Sequence, residues 1–337
     1  MNKAIPIILI IGVGITMGGL SLTFVENETE TFDKIDEPIR LSINPFPGTD
    51  YAFVAQEMGF FEKHGVDVEL VLNPNYSQTV ELFTTNQVDG AFEVYADAVL
   101  QSHFGNEVTV VYVTDQSTNG DVIIASVKDI SDIKGKTVGV VGLNSFSQIF
   151  VTSILERNGI GYFDVFYENV DETSILNYLD DEIIVAGHTW EPTKSDAVKK
   201  GYSVIASAGE IPGIITDVLV FHSSFVNENP NDVQGVVNAL NEARNFVYSN
   251  PEKSISIMAE VEGLSFDEMA EAVNDADRPD SDSQKILFSK DSGNSLHVLG
   301  QTYVDFYINS GILSENENHT DDHNTNFIDN TFVNSLD

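Results

Sequence analysis

Four short loops of this chain carry side chains that could bind a small molecule. Each loop begins where a predicted strand ends. Together the loops hold acidic, aromatic and hydroxyl groups, but neither Lys nor Arg. They span residues 46–50, 93–97, 144–147 and 188–191. Because small ligands of open α/β sheets bind outside the strand ends, these loops are predicted to line one cleft.

The candidate ligand-binding residues come from these loops and from two predicted hinge segments. They are Phe46, Thr49, Asp50, Glu93, Asp97, Asn119, Ser145, Phe146, His188, Trp190, Glu191 and Asp217. Carboxylates form charge-assisted hydrogen bonds with donors, and aromatic faces stack on flat rings. This combination favours a neutral or cationic heteroaromatic ligand, such as an aminopyrimidine. No cofactor, catalytic residue or metal site is expected.

The predicted helix start at residues 144–147 favours a different ligand. Free N–H groups at a helix N-terminus, together with the Ser145 hydroxyl, suit an oxygen of a carboxylate, sulfonate or nitrate. Such groups can hold a small anion without any Lys or Arg. Sulfonate, taurine or nitrate therefore stays the alternative to the heteroaromatic.

Several candidates also have a purely structural interpretation. Phe46 could fill the core, and Trp190, the only tryptophan, could belong to the core of its lobe. Thr49 could cap a helix without meeting a ligand, and Asp97 could be a first-turn residue favoured by the helix dipole. His188 is equally compatible with a structural hydrogen bond.

The stretch 39–72 positions the first of these loops. Residues 39–43 and 66–72 alternate apolar and polar side chains, which predicts two strands. Between them Val54, Met58 and Phe61 share one face of a predicted helix. The helix follows a Pro- and Gly-containing loop, so its N-terminus opens where the first strand ends.

The same alternation of strands and helices continues along the chain and predicts an α/β fold. Residues 39–121 and 218–313 form one predicted lobe, and residues 122–217 form the other. Two crossings would join the lobes as hinges and leave a central cleft between them. Asn119 and Asp217 flank the crossings, where they could contact a ligand or only fix the hinge.

Composition excludes several classes of function. The chain has 337 residues, with 16 Lys+Arg against 53 Asp+Glu, and a formal net charge of -37. This charge disfavours nucleic acid and anionic membrane surfaces as partners. The sequence has no cysteine, which excludes disulfides, thiolate metal sites and a cysteine nucleophile.

The two ends of the chain differ from its centre. Residues 1–25 contain Lys3 and then an uncharged run from residue 4 that is long enough to cross a membrane. The lack of a clear cleavage site favours an uncleaved anchor over a cleaved signal peptide, and either places the rest outside the membrane. An acidic linker follows at 26–38. Residues 314–337 are rich in Asn and Asp and are predicted to be a disordered acidic tail, in which His319 and His323 could chelate metal.

Five segments resemble the solute-binding proteins of ABC importers, of the nitrate/sulfonate/taurine and thiamine-pyrimidine type. They are DYAFVAQEMGFFEKHGVDVEL (50–70), QVDGAFEVYADAV (87–99), KDISDIKGKTVGV (128–140), SILERNGI (153–160) and HTWEPTKSDAVKKGYSVI (188–205). The resemblance covers roughly residues 39–313. It implies a type II periplasmic-binding-protein-like fold, whose two lobes close on a ligand about a hinge.

The resemblance also implies partners and excludes catalysis. The chain would be a monomer that captures a small solute and delivers it to a membrane permease with its ATPase subunit. Enzymes of pyrimidine and menaquinone precursor synthesis use the same fold and remain a further alternative. The pyrimidine synthase would need a cysteine-rich iron-binding motif, which this sequence lacks.

Overall fold

The computed structural model describes residues 37–314 and 327–337, so the predicted signal or anchor lies outside the described residues. The described strands are β1 (Ile39–Ile43), β2 (Val68–Leu72), β3 (Gly90–Val94), β4 (Val108–Ser117), β5 (Val122–Ala125), β6 (Thr137–Val140), β7 (Phe166–Asn169), β8 (Ala186–Thr189), β9 (Ser203–Ser207), β10 (Thr216–His222) and β11 (Ala276–Asp277).

The described helices alternate with these strands and then dominate the last third of the chain. They are α1 (Tyr51–Glu57), α2 (Phe60–Lys63), α3 (Tyr76–Thr84), α4 (Tyr95–His103), α5 (Phe146–Arg157), α6 (Ile175–Asp180), α7 (Thr193–Lys200), α8 (Ser223–Glu228), α9 (Pro230–Ser249), α10 (Pro251–Glu262), α11 (Phe266–Ala272), α12 (Ser281–Leu287), α13 (Leu296–Asn309) and α14 (Thr331–Asn334). No helix in 37–314 or 327–337 is long and apolar enough to span a membrane.

Two mixed sheets form the two lobes, which confirms the predicted α/β fold class. The first sheet has the order β11-β4-β10-β3-β1-β2, and the second has the order β7-β6-β8-β5-β9. In the first, β1 runs parallel to β2 and β3, whereas β10 is antiparallel to β3 and β4. Parallel neighbours place their carboxyl ends at one edge, where the loops after β1 and β3 meet.

The two crossings between the sheets lie side by side. Ser117, at the end of β4, donates its N–H to the Ile215 carbonyl, just before β10, over 3.0 Å. The backbone amides of Asn119 and Gly120 each donate to the Asp275 carbonyl over 3.0 Å. These bonds pair backbone N–H and C=O groups of the two crossings, which would otherwise be buried without hydrogen-bond partners.

The helix predicted across Val54, Met58 and Phe61 is two helices, α1 and α2. The break occurs at Gly59, whose φ of +69° is the left-handed conformation that glycine adopts at low cost. The apolar spacing indicated a shared buried face correctly, but spacing does not report where the backbone turns.

The predicted disorder of residues 314–337 is wrong for the final segment, 327–337. Ile328 pairs with Val110 of β4, and the Val110 amide donates to the Phe327 carbonyl over 2.8 Å. Phe332 and Val333 of α14 are buried. The apolar residues at the end of a polar segment give the chain enough burial to offset its ordering entropy. His319 and His323 lie outside the described residues.

Candidate ligand-binding site

A cavity lies where strand ends and crossings of the two lobes meet. The empty space in this cavity, including space open to solvent, is about 350 Å³. The lining residues are Asn44, Phe46, Thr49, Tyr76, Phe92, Val94, Asp121, Phe146, Trp190, Ile215 and Asp217. Among these described side chains none is Lys or Arg, so the polar part of the wall consists of carboxyl, amide and hydroxyl groups.

Five aromatic residues line the cavity, and four of them, two from each lobe, pack against one another. Phe46 and Tyr76 belong to the first lobe, and Phe146 and Trp190 belong to the second. Tyr76 and Phe146 meet edge to face with ring centroids 4.9 Å apart. Trp190 lies 6.4 Å from both Phe46 and Tyr76, nearly perpendicular to each. Edge-to-face packing of this kind is favourable for aromatic pairs.

The loop after β1 is held in place by buried contacts on its far side. Arg278 is fully buried and donates to the carbonyls of Pro47 and Gly48. A Cβ atom at Gly48 would lie 2.4 Å from the Phe46 ring and 2.6 Å from the Asp115 carboxyl group. Only glycine therefore fits between these two side chains. The position of Phe46 in the cavity wall depends on that close approach.

Trp190 connects the two lobes directly. It follows β8, is only 4% exposed, and donates from Nε1 to the Pro45 carbonyl over 3.3 Å. Phe146 is the first residue of α5 and is also buried. Both second-lobe rings are thus placed at element boundaries, one after a strand and one at a helix start.

Two carboxyl groups form the acidic end of the cavity. Asp121 Oδ1 lies 2.9 Å from His188 Nε2, while its Oδ2 is buried without a hydrogen-bond partner among the described residues. Asp217 lies on β10 opposite Asp115 of β4. Burial, together with the charges of Asp115 and Asp121, raises the pKa of Asp217 well above its usual value. Burial also raises the pKa of Asp115 to about 7, although Arg278 lowers it.

Protonation of this cluster is favoured, because two adjacent buried carboxyl groups resist joint ionisation. Asp115 and Asp217 face each other across β4 and β10, and neither carboxyl oxygen of Asp115 has a hydrogen-bond partner among the described residues. The unpaired Asp121 oxygen remains an acceptor near the cavity. The acidic end can therefore accept hydrogen bonds from N–H groups of a ligand and can balance one positive charge on that ligand.

Five predicted site residues lie on the cavity wall. They are Phe46, Thr49, Phe146, Trp190 and Asp217. Thr49 donates its hydroxyl to the Phe46 carbonyl over 3.3 Å, and the first helix is not capped by a side chain. The other predicted residues lie outside the lining.

Asp97 and His188 lie directly behind the wall. Asp97 accepts hydrogen bonds from the Tyr76 hydroxyl over 2.8 Å and from the Phe146 amide over 3.1 Å. His188 has no exposed surface, and its two ring nitrogens lie 2.8 Å from Ser147 Oγ and 2.9 Å from Asp121 Oδ1. Both residues support groups of the wall without lining it.

Asp50 and Glu93 are buried in the first lobe away from the lining. Asp50 Oδ1 accepts from the Phe46 amide over 3.4 Å, and burial raises the pKa of Asp50 to about 7. Glu93 accepts a bond from Gln101 over 2.9 Å, and burial raises its pKa to about 8. Alternation along β3 explains why Glu93 is not in the lining. Phe92 and Val94 point to the cavity face of the strand, so the Glu93 side chain between them points to the opposite face.

Ser145, Asn119 and Glu191 make local hydrogen bonds outside the lining. Ser145 caps α5, where its hydroxyl accepts from the Ser147 amide over 3.1 Å. Asn119 accepts from Ser207 over 3.1 Å at the hinge. Glu191 accepts from the backbone and hydroxyl of Ser195 at the start of α7, both over 3.1 Å.

Sequence reasoning missed six lining residues: Asn44, Tyr76, Phe92, Val94, Asp121 and Ile215. Three carried a usable signal. Asn44 follows β1, and Asp121 lies in the first crossing, just before β5. Tyr76 begins α3 after β2, and Asn75 caps that helix through its side chain. Whether Phe92 and Val94 line the cavity depends on which face of β3 meets the second lobe.

The chain resembles several known proteins in sequence. It is 25% identical over 246 residues to a binding protein of Brucella abortus, covering 71% of this chain and 75% of that protein. It is 21% identical over 250 residues to the formylaminopyrimidine-binding protein of Halalkalibacterium halodurans, with the same coverage of 71% and 75%. A 4-amino-5-hydroxymethyl-2-methylpyrimidine phosphate synthase of Saccharomyces cerevisiae is 24% identical over 234 residues, covering 64% of this chain and 67% of the synthase.

Solved structures share the fold at lower sequence identity. The ligand-binding component of an ABC-type import system from Staphylococcus aureus superposes with a TM-score of 0.73 at 15% identity, covering 89% of this chain and 99% of that one. The nitrate-binding protein of Synechocystis gives a TM-score of 0.70 at 13% identity, covering 86% and 84%. These likenesses confirm the two-lobed binding-protein fold. Residues 49–254 match the description "NMT1/THI5 like", and the chain belongs to that family.

Proposed function

We propose that this protein is the extracytoplasmic substrate-binding component of an ABC importer. It captures a small heteroaromatic solute resembling a thiamine precursor between its lobes and delivers it to a membrane permease. The observation that carries the proposal is the cavity itself, which is lined by aromatic rings from both lobes together with Asp121 and Asp217. The chain acts as a monomer and performs no catalysis.

The chemistry of the wall fits a flat ring that carries amino groups. Such a ring gains stacking and apolar burial against Trp190 and Phe146. Its amino and ring N–H groups donate to the carboxyl groups at the acidic end, where ionised acceptors give stronger hydrogen bonds than neutral ones. The relative from Halalkalibacterium halodurans, named as a formylaminopyrimidine-binding protein, supports the same ligand class.

Nitrate or a sulfonate is the second candidate ligand. The structural likeness to the nitrate-binding protein of Synechocystis favours it. The acidic wall opposes it, because an anion would lie near Asp121 and Asp217 with no cationic side chain in the lining.

An enzyme on the same fold is the third candidate, favoured by the yeast synthase relative. The absence of cysteine in the sequence disfavours that reaction here, since the synthase resemblance implies a cysteine-rich iron-binding motif. Residues 4–25 export or anchor the chain in the proposed function, and the permease with its ATPase completes the importer.

Isothermal titration calorimetry tests the proposal directly. The protein is titrated with thiamine, 4-amino-5-hydroxymethyl-2-methylpyrimidine, taurine and nitrate. We expect binding of one aminopyrimidine per chain and recovery of the ligand unchanged by mass spectrometry. Conversion of the ligand into a product would contradict a transport role, and tighter binding of taurine or nitrate would replace the proposed solute class.

A further inference from the structure

Two helices from opposite lobes begin at the cavity, and their first residues touch. Tyr76 begins α3 in the first lobe, and Phe146 begins α5 in the second. A helix N-terminus attracts anions because its first amides lack acceptors within the helix and the dipole is positive there. An open site at these two positions would therefore suit an oxyanion.

Asp97 already occupies the start of α5. It belongs to α4 of the first lobe, so it caps a helix of the opposite lobe. Its Oδ1 accepts from the Phe146 amide over 3.1 Å, and its Oδ2 accepts from the Tyr76 hydroxyl over 2.8 Å. The next amide, that of Ser147, donates to the Ser145 hydroxyl. The first two amides of α5 are thus satisfied by the protein.

Glu172 makes the reciprocal contact in the other direction. It lies in the second lobe between β7 and β8, is 4% exposed, and accepts from the Tyr76 amide over 3.0 Å. The Gln78 amide of the same helix donates to the Asn75 side chain over 2.9 Å. Each lobe therefore supplies a buried carboxyl group to a helix start of the other lobe.

We propose that Asp97 and Glu172 are specificity-determining residues, which occupy in trans the helix N-termini at the cavity and thereby exclude oxyanions. The inference rests on the proposed function of solute binding and narrows its ligand class to molecules without an anionic group near this wall. An oxyanion could reach the Phe146 amide only by displacing the Asp97 carboxyl group. A neutral or cationic ring meets no such competition.

The arrangement also couples ligand choice to the aromatic wall. Asp97 holds Tyr76 and Phe146 through one oxygen each, and these two rings meet 4.9 Å apart on the cavity wall. Burial raises the pKa of Asp97 to about 6, although both hydrogen bonds lower it. At neutral pH Asp97 is therefore mainly ionised and repels a second negative charge.

The test compares anion binding by the full chain before and after the carboxyl group is removed. Wild-type protein, Asp97→Ala and Asp97→Asn are titrated with methanesulfonate and with nitrate, followed by Trp190 fluorescence and by calorimetry. We expect negligible binding by the wild type at millimolar anion and at least tenfold tighter binding of methanesulfonate by Asp97→Ala. Asp97→Asn, which keeps the side-chain shape without the charge, is expected to bind methanesulfonate at least threefold more tightly than wild type.

A matched control removes a capping carboxyl group elsewhere in the same lobe. Asp280 caps α12 by accepting from the Ser283 amide over 2.9 Å, and Asp280→Ala causes the same loss of charge. It is expected to leave anion binding unchanged. Tight binding of methanesulfonate by the wild type overturns the inference, as does equal weak binding by wild type and both folded Asp97 variants. Failure of the wild type to bind any aminopyrimidine counts against the proposed function alone, because the anion comparison needs no cognate solute.

Discussion

Buried carboxyl groups occur in two regions of the first lobe, and the two regions differ in what lies beside them. Asp217 belongs to a cluster that reaches the cavity wall. Asp50 and Glu262 are neighbouring acids buried in the core, and Glu93 is buried on the side of β3 that faces away from the cavity. Burial raises the pKa in both regions. The difference teaches that burial of an acid does not by itself indicate a ligand site; access to the cavity does.

The largest predicted effect concerns the core acids and the pH dependence of stability. The pKa of Glu93 rises from 4.5 to about 8 on folding, so the folded chain binds more protons than the unfolded chain between these values. The stabilisation that protonated Glu93 gives the folded chain is fully present below pH 4.5 and is lost as pH rises through about 8. The free energy of unfolding should therefore fall across this range, the reverse of the usual behaviour of acids paired with cations.

The isosteric variant Glu93→Gln isolates this contribution. It removes the titration while keeping a hydrogen-bond partner for Gln101, so the fall in unfolding free energy between about pH 5 and 8 should shrink by about 3 kcal/mol. Urea unfolding at several pH values measures the change. Asp280→Ala is the control, because Asp280 has a pKa lowered chiefly by its bonds to Ser283 and titrates below this range. An unchanged pH slope in Glu93→Gln would show that Glu93 is ionised in the folded chain.

The second prediction separates the two regions by ligand affinity. Asp217→Ala removes an acid of the cavity wall and should weaken binding of an aminopyrimidine by about 10- to 100-fold, since a buried N–H group of the ligand that is left without its acceptor costs about 1–3 kcal/mol. Glu262→Gln changes the core pair and should leave affinity within about twofold of wild type. Calorimetry at pH 7 measures both. Equal losses in the two variants would remove the distinction between wall and core acids.

The smallest predicted effect concerns the aromatic wall. Trp190→Phe keeps an aromatic face but loses the Nε1 bond to the Pro45 carbonyl, so we expect affinity to fall about 3- to 10-fold. In the wild type, ligand binding should also change the emission of Trp190, the only tryptophan. Phe163→Leu, at a ring that is 94% exposed, is the control. Unchanged emission with a bound ligand would indicate that Trp190 is only a core residue.

Much of the fold and part of the site could be predicted from local patterns. Alternation and helical spacing predicted the α/β units, and the strand-end rule predicted Phe46, Phe146 and Trp190 at the cavity wall. Local patterns could not predict whether Glu93 points into the cavity. Period-two alternation shows that neighbours on a strand face opposite ways, but it does not show which face meets the other lobe. Asp97 was placed in the correct loop, but its contact with Phe146 joins elements of different lobes.

The amino-acid sequence alone determined the classes of chemistry available to this protein. It excludes thiolate chemistry through the absence of cysteine, and it supplies an acidic, aromatic set of strand-end loops. The tertiary structure alone decided which acids face the cavity and which helix starts are already occupied. The physical reason is that capping by Asp97 and Glu172 depends on the approach of two lobes. No spacing within one segment encodes the distance of 3.1 Å between an aspartate and an amide of the other lobe.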